Sequence, residues 1–300
     1  MKKKTYLFAL MAMALTLGSC SDNENGIGGE TSKYITVSTS IGNMTRVATD
    51  EKGGQTFEEG DEISVYAWTG DATVAPETRE RVVNNAINKL TNGSWVSTPQ
   101  MLWKNNRDKH YFIGVYPTAA ISDLSAGEYT FDETKQVESD LLVAVNKDGL
   151  SYNVDEQQTV PLTFTHVMAK LVVNLTYKNQ WGGIPTVEKV VVGNAAKEAT
   201  VNYLTKVVTP STTAKEDFSL PEITENTKYV SVIIPQEEVT QLTIVIGGKN
   251  FVYDNGTPFK LESGKITTVN LEVGRDEIKL GDVKITDWED GSTFGGEALN

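Results

Sequence analysis

The chain has 300 residues, 39% of them hydrophobic and 22% charged, with a formal net charge of −13. That apolar content excludes a disordered chain, and the acidity disfavours nucleic acid and anionic membrane faces as partners. The single cysteine, Cys20, excludes a disulfide or a cysteine-ligated metal site within one chain, so stability must come from buried cores.

In chain order, Met1-Lys2-Lys3-Lys4 is a short basic start, and an apolar run follows from Tyr6 to Leu17. That run is too short to cross a bilayer as a helix and has the basic and apolar regions of a secretory signal. Leu17-Gly18-Ser19-Cys20 matches the bacterial lipoprotein cleavage box, in which the cysteine becomes the lipidated first residue. The plainer alternative is an ordinary signal with an incidental cysteine. The only cysteine standing at the one position the box requires favours lipidation at Cys20. Residues 1–19 are then the signal, and losing its three lysines, Lys2, Lys3 and Lys4, takes the formal charge from −13 to −16. Acyl chains entering a membrane at roughly 0.8 kcal/mol per CH₂ make a firm anchor. Residues 20–33, rich in Asn, Gly, Ser and acid, read as a flexible tether.

Beyond the tether the apolar pattern has period two. Ile35, Val37, Thr39 and Ile41 alternate with Thr36, Ser38 and Ser40 and predict a half-buried strand over 35–41. Ile63, Val65 and Ala67 predict another after a Gly60-Asp61 turn. Asn92-Gly93, between 85–90 and 94–96, predicts a type I′ hairpin. Val82, Val83, Ala86, Ile87 and Leu90 also fit a helical face; the turn dipeptide followed at once by Trp95 favours the hairpin. Tyr111, Ile113 and Val115 predict a strand that Pro117 ends or puts at an edge, and 141–145 predicts one closed by Asp148-Gly149.

The polar stretch Asp155-Glu156-Gln157-Gln158 reads as a domain boundary, giving an N-terminal domain over 34–157 and a C-terminal one over 158–300. Directly after it the parity changes. Leu162 and Phe164 are even, whereas Val167, Ala169, Leu171, Val173, Leu175 and Tyr177 are odd, which predicts an inserted residue such as a β-bulge near His166. Further strands are predicted at 189–192, 200–203, 229–234, 242–246 and 251–253, then a turn at Asp254-Asn255-Gly256, then 266–273 and 278–288. Many short strands with Gly and Asn turns predict an all-β chain, and the length suits two β-sandwiches in tandem.

Four stretches carry more specific information. They are Met44-Thr45-Arg46 ahead of Phe57-Glu58-Glu59-Gly60-Asp61-Glu62-Ile63-Ser64-Val65-Tyr66; Trp103 followed by Tyr111-Phe112-Ile113-Gly114-Val115-Tyr116-Pro117; Phe164-Thr165-His166-Val167-Met168-Ala169-Lys170-Leu171; and Leu261-Glu262-Ser263-Gly264-Lys265 with Ile278 and the closing Ile285-Thr286-Asp287-Trp288-Glu289-Asp290-Gly291. In this order, behind the lipoprotein box, they make the chain resemble the fimbrillin-like lipoproteins of Bacteroidales, the pilin and pilus-tip subunits of the type V system. Ser21-Asp22-Asn23-Glu24 is similar to the surface-export tag of such lipoproteins, with plain linker composition as the alternative.

The resemblance implies two transthyretin-like β-sandwich domains and a lipoprotein exposed on the outer membrane. It implies assembly with other fimbrial subunits by strand exchange, and adhesion to a host or bacterial surface ligand. In such a pilin a trypsin-like protease cuts after an arginine, the first strand leaves, and a neighbour's strand fills the groove. Arg46, which follows the 35–41 strand and precedes a Gly53-Gly54 loop, is the candidate processing site, with an ordinary loop arginine as the alternative. The candidate donor strand is 278–288, carrying Ile278, Leu280, Val283, Ile285 and Trp288, because it is terminal, alternates in part and has a large apolar end. Shaft, tip and anchor roles stay open.

The inventory for catalysis is thin. Of the two histidines, His166 at the parity change reads as structural and His110 as solvated. No serine stands in a nucleophile elbow and no Gly-rich loop opens a helix; Asp287, Glu289 and Asp290 lack EF-hand spacing. The expectation is a non-enzyme with no cofactor and no metal. A second class, a surface glycan-binding lipoprotein, would need exposed tryptophans. Trp95, Trp103 and Trp288 sit where a core would take them, and Trp181 beside Gly182-Gly183 is the expected exposed one.

Overall fold

A computed structural model describes residues 33–42, 56–156, 158–253 and 258–288 of the chain; Cys20, Arg46 and the predicted turn at 254–256 lie outside them. The described residues form strands, with two single-turn 3₁₀ segments at Thr78–Glu80 and Asn179–Trp181. β-Branched and aromatic residues at alternate positions favour a pleated, half-buried surface over a helix. Among the described residues no helix is long and apolar enough to cross a membrane.

The first eight strands are β1 (Thr36–Ile41), β2 (Glu62–Thr69), β3 (Val83–Thr91), β4 (Ser94–Thr98), β5 (His110–Tyr116), β6 (Gly127–Thr130), β7 (Leu142–Leu150) and β8 (Thr159–His166). All but β6 join one seven-stranded sheet in the order β1-β8-β7-β5-β2-β3-β4. Its pairs are antiparallel except β1, which runs parallel to β8. The sheet curls until its two ends meet, where the Trp95 indole N–H on β4 donates to Thr39 Oγ1 on β1 at 3.0 Å. Ile63, Val65, Phe112, Ala144, Leu162 and Phe164 fill the inside of the curl. Tyr66, Trp68, Ile113 and Val115 face the other way into a second core. A sheet buried on both faces reads as near-continuous apolar sequence, as β2 and β5 do.

Asn92 and Gly93 both have positive φ, 51° and 72°, the requirement of a type I′ turn, so the hairpin expected there forms between β3 and β4. The helix-like spacing of Val83 and Ala86 has a local cause. Val65 pairs with Ala86 but Ala67 pairs with Val83, so β3 carries one extra residue, with Asn85 at φ 55°. This bulge turns two residues three apart toward the same core. Pro117 ends β5, an interior strand between β2 and β7. Asp148-Gly149 does not close β7, which runs on to Leu150 through a shift of register against β5.

The later strands are β9 (Ala169–Tyr177), β10 (Val187–Ala196), β11 (Glu198–Asn202), β12 (Val207–Pro210), β13 (Lys215–Ser219), β14 (Glu222–Thr224) and β15 (Lys228–Ile233). They continue with β16 (Gln236–Val239), β17 (Gln241–Ile246), β18 (Lys249–Tyr253), β19 (Phe259–Leu261), β20 (Lys265–Val273) and β21 (Ile278–Asp287). A five-stranded sheet, β14-β15-β9-β20-β21, and a four-stranded one, β13-β10-β17-β18, share a core through Leu171, Val173 and Leu271 on the first and Val190, Val192 and Ile244 on the second. β6 joins β11 and β12 in a three-stranded sheet, and β16 pairs with β19.

The parity change after Phe164 is not a bulge. β8 ends at His166 in the first sheet and β9 begins at Ala169 in the five-stranded sheet, so the chain crosses between sheets through the buried Val167 and Met168. Leu162 and Phe164 face one core and Leu171 and Val173 another, which needs no common parity. The polar stretch at 155–158 lies between β7 and β8, neighbours in one sheet.

Candidate functional site

β1 is seated by its sequence alternation. Ile35, Val37 and Ile41 point into the curl and are buried against Val160, Leu162 and Phe164 of β8 and against Met101 and Trp103. In register, Val37 lies beside Val160, Thr39 beside Leu162 and Ile41 beside Phe164. On the outer face the Ser40 hydroxyl donates to Thr163 Oγ1 at 3.2 Å, and the Thr36 and Thr159 hydroxyl oxygens are 3.1 Å apart. Among the described residues β1 therefore has a complete partner on one side only. On the other, Ile35 N–H donates to Met101 O at 3.0 Å and Trp103 N–H to Lys33 O at 3.2 Å, covering its start. Further along, Trp95 is the side chain that reaches across from β4. The strand ends abruptly at Gly42, with φ 74°, whose N–H donates to Phe164 O at 2.8 Å.

The floor of this seat is tightly packed. Gly114 on β5 admits the Phe164 ring: a Cβ there would stand 2.6 Å from Phe164 Cζ and 3.1 Å from Leu162 Cδ1. Phe57 lies edge-on to Phe164, Trp95 and Tyr116 with centroids 5.1, 5.3 and 5.5 Å away, so one ring ties the floor to the rim. Withdrawing β1 without replacement would expose three aliphatic side chains and their pockets, at roughly 1.5–3 kcal/mol each, together with the unpaired backbone of β8.

The candidate donor strand is the outer strand of the five-stranded sheet, antiparallel to β20. Ile278 pairs with Val273 and Leu280 with Leu271, then Val283 with Val269 and Ile285 with Thr267, so Gly281 is an extra residue. This bulge puts all four apolar residues on one face despite their mixed parity. They are thinly covered: Val283 and Ile285 are 36% and 38% exposed, while Ile278 and Leu280 are half-buried. Trp288 follows the strand and stacks flat on His166 at 4.0 Å, with Lys170 Nζ 5.3 Å from its ring centre.

The two histidines serve the fold. His166 donates from Nδ1 to the Asp140 carboxylate at 2.9 Å and is buried. His110, expected in solvent, is fully buried. Its Nε2 accepts the Lys104 N–H at 3.0 Å, its Nδ1–H donates to Asp108 O at 3.1 Å, and its ring stands edge-on to Trp103. Burial holds its pKa below the usual histidine value. Trp181 is not an exposed platform either. It is half-buried against Phe251, donates its indole N–H to Val273 O at 3.0 Å and carries the Arg275 guanidinium over its ring. Trp68 and Trp103 are buried, and Trp95 is half-buried. These positions lend no support to the glycan-binding alternative.

A cleft of about 750 Å³ opens between residues 69–82 and 102–104. Its cations are already engaged: Arg81 donates to Ile121 O and Ser122 O at 2.6 Å each, and Lys104 to Thr69 Oγ1 at 3.1 Å. Among the described residues no group of three His, Cys, Asp or Glu side chains is placed to hold a metal ion.

A family model described as fimbrillin-like matches residues 45–288, from just beyond β1 to Trp288. A curated relative, "Putative fimbrium subunit Fim1C" of Bacteroides uniformis, is 25% identical over 323 residues, covering 100% of this chain and 99% of the relative. Two crystal structures of proteins described as putative cell adhesion proteins share the fold. One, from Bacteroides ovatus, has a TM-score of 0.64 at 18% identity over 85% of this chain and 98% of its own. The other, from Bacteroides uniformis, has a TM-score of 0.59 at 19% identity over 86% of this chain and 100% of its own.

Proposed function

The chain belongs to the fimbrillin-like family, and from that premise we propose that it is a structural subunit of a surface fimbrium, acting in adhesion and joined to its neighbours by strand exchange. The observation that carries this reading is the seat of β1. Among the described residues it is an apolar strand with a full partner on one side only, and its chain continues past Gly42 to an arginine four residues on. In this reading the subunit is exported as a lipoprotein lipidated at Cys20 and anchored in the outer membrane. Cutting after Arg46 frees the tether and β1 together. The exposed edge of β8, with the pockets of Ile35, Val37 and Ile41, then accepts an extended segment of a neighbouring subunit.

The segment given in return is 278–288. It is an outer strand whose apolar residues Ile278, Leu280, Val283 and Ile285 share one thinly covered face, ending at Trp288. Two sandwiches in tandem, joined at Val167 and Met168 rather than at the polar stretch before β8, would carry acceptor and donor on separate halves of the subunit. The partners are other fimbrial subunits and, at the exposed end, a host or bacterial surface ligand. Deleting residues 278–300 tests the reading on cells. Export and folding are expected to persist while fibre assembly stops, and normal fibres from the truncated chain would refute the donor role.

A further inference from the structure

The seat of β1 is apolar at three of its four inward positions and polar at one. Ile35, Val37 and Ile41 are buried, and between them Thr39 directs its Oγ1 to the Trp95 indole N–H at 3.0 Å. An indole nitrogen is a donor only, so it needs an acceptor on the strand opposite. The ring cannot easily turn away, because Phe57 packs edge-on to it at 5.3 Å and Phe57 is itself wedged against Phe164 and Tyr116. Trp95 also closes the curl, as the side chain of β4 that hydrogen-bonds β1. Whatever strand takes the place of β1 must meet that N–H.

We infer that Trp95 is the specificity-determining residue of the groove, selecting a neighbouring subunit's strand with apolar side chains at the first, second and fourth inward positions and a hydrogen-bond acceptor at the third. The apolar pockets supply affinity to any alternating strand; the indole N–H fixes register and discriminates. A strand shifted by two residues would bring an aliphatic group to Trp95 and leave its donor unpaired, and a strand shifted by one would turn its apolar face outward. This inference rests on the strand-exchange reading and adds to it the chemical pattern of the partner, a pattern that 278–288, aliphatic at Ile278, Leu280, Val283 and Ile285, does not present, so the strand this groove selects comes from a different fimbrial subunit.

The test uses the chain with residues 44–48 replaced by the site of a sequence-specific protease. Cutting there leaves β1 seated but no longer continuous with the rest. The cut protein is incubated with excess isotope-labelled peptides covering residues 33–42, and native mass spectrometry reads which peptide occupies the groove. The peptide of natural sequence is expected to exchange in. Its Thr39→Val counterpart, equal in shape but without the acceptor, is expected to occupy the groove roughly fivefold less. In the Trp95→Phe protein, which keeps a ring against Phe57 but has no N–H, the two peptides are expected to be equal. Equal occupancy in the natural protein would overturn the role of Trp95 and leave strand exchange standing. If the natural-sequence peptide itself failed to exchange, strand exchange would fall and this inference with it.

Discussion

A staple across the β1–β8 pair bears on strand exchange with a magnitude that follows from the structure. The Ser40 and Thr163 side-chain oxygens are 3.2 Å apart on the exposed face, and the two residues are register partners. Neighbouring strands put such Cα atoms about 5 Å apart, inside the range a disulfide spans. Ser40→Cys with Thr163→Cys should therefore close in an oxidising compartment, and the only natural cysteine, Cys20, is remote in sequence. The residues joined are 123 apart, and closing a loop of that length removes about 5 kcal/mol of denatured-state freedom. That adds to the roughly 1.5–3 kcal/mol that each of Ile35, Val37 and Ile41 contributes by burial. More to the point, the covalent bond keeps β1 in its groove after the backbone is cut.

The assay is the yield of sheared surface fibres from cells expressing the stapled chain, with the bond verified by non-reducing mass spectrometry. The oxidised chain is expected to reach the surface and to be cut while remaining outside fibres, and dithiothreitol is expected to restore assembly. Each single cysteine variant should assemble normally. Oxidised, stapled subunits found in fibres at the natural yield would refute departure of β1 as the step that opens the groove.

Gly114→Ala places a methyl group 2.6 Å from Phe164 Cζ on a floor that has no slack, and is expected to cost about 1–3 kcal/mol, seen as a melting temperature lower by several degrees; an unchanged melt would mean the Phe164 ring is not confined. His110 is neutral in the fold because Nε2 accepts a hydrogen bond and burial lowers its pKa, so the unfolded chain takes up the proton first as pH falls. Stability is then expected to fall as pH drops below about 6.5, and urea titrations above and below that pH should show a smaller drop for His110→Gln than for the natural chain. Arg46→Ala is expected to leave the surface form full-length and to deplete it from fibres, read by immunoblot of sheared and cell-bound fractions.

How far the sequence reaches depends on what each element uses to hold itself. β1, β8 and β20 are long enough for period-two burial to show, β2 and β5 read as continuous apolar runs, and Asn92-Gly93 marks its turn outright. β6, β12, β13, β14, β16 and β19 have three to five residues each, too few for an alternation to stand out. A bulge and a sheet crossing look alike in sequence, since both flip parity. At Asn85 and Gly281 the flip is an extra residue; after His166 it is a change of sheet. The apolar face of the candidate donor was therefore readable residue by residue, although its geometry was not. His110 read as solvated because its charged neighbours Asp108 and Lys109 are exposed; its burial comes from Trp103 and Lys104, which precede it on the other side of a loop. Trp95 was legible as a core aromatic, whereas its role toward β1 depends on the sheet closing on itself, a long-range contact with no local signature.

The first strand is expected to leave when the subunit joins a fibre. The most direct measurement is the N-terminus of the protein recovered separately from intact cells and from sheared fibres. A start at Val47 in the fibres, with β1 and everything before it gone, is the expected result. A lipidated Cys20 at the start of the chain in both fractions would contradict it.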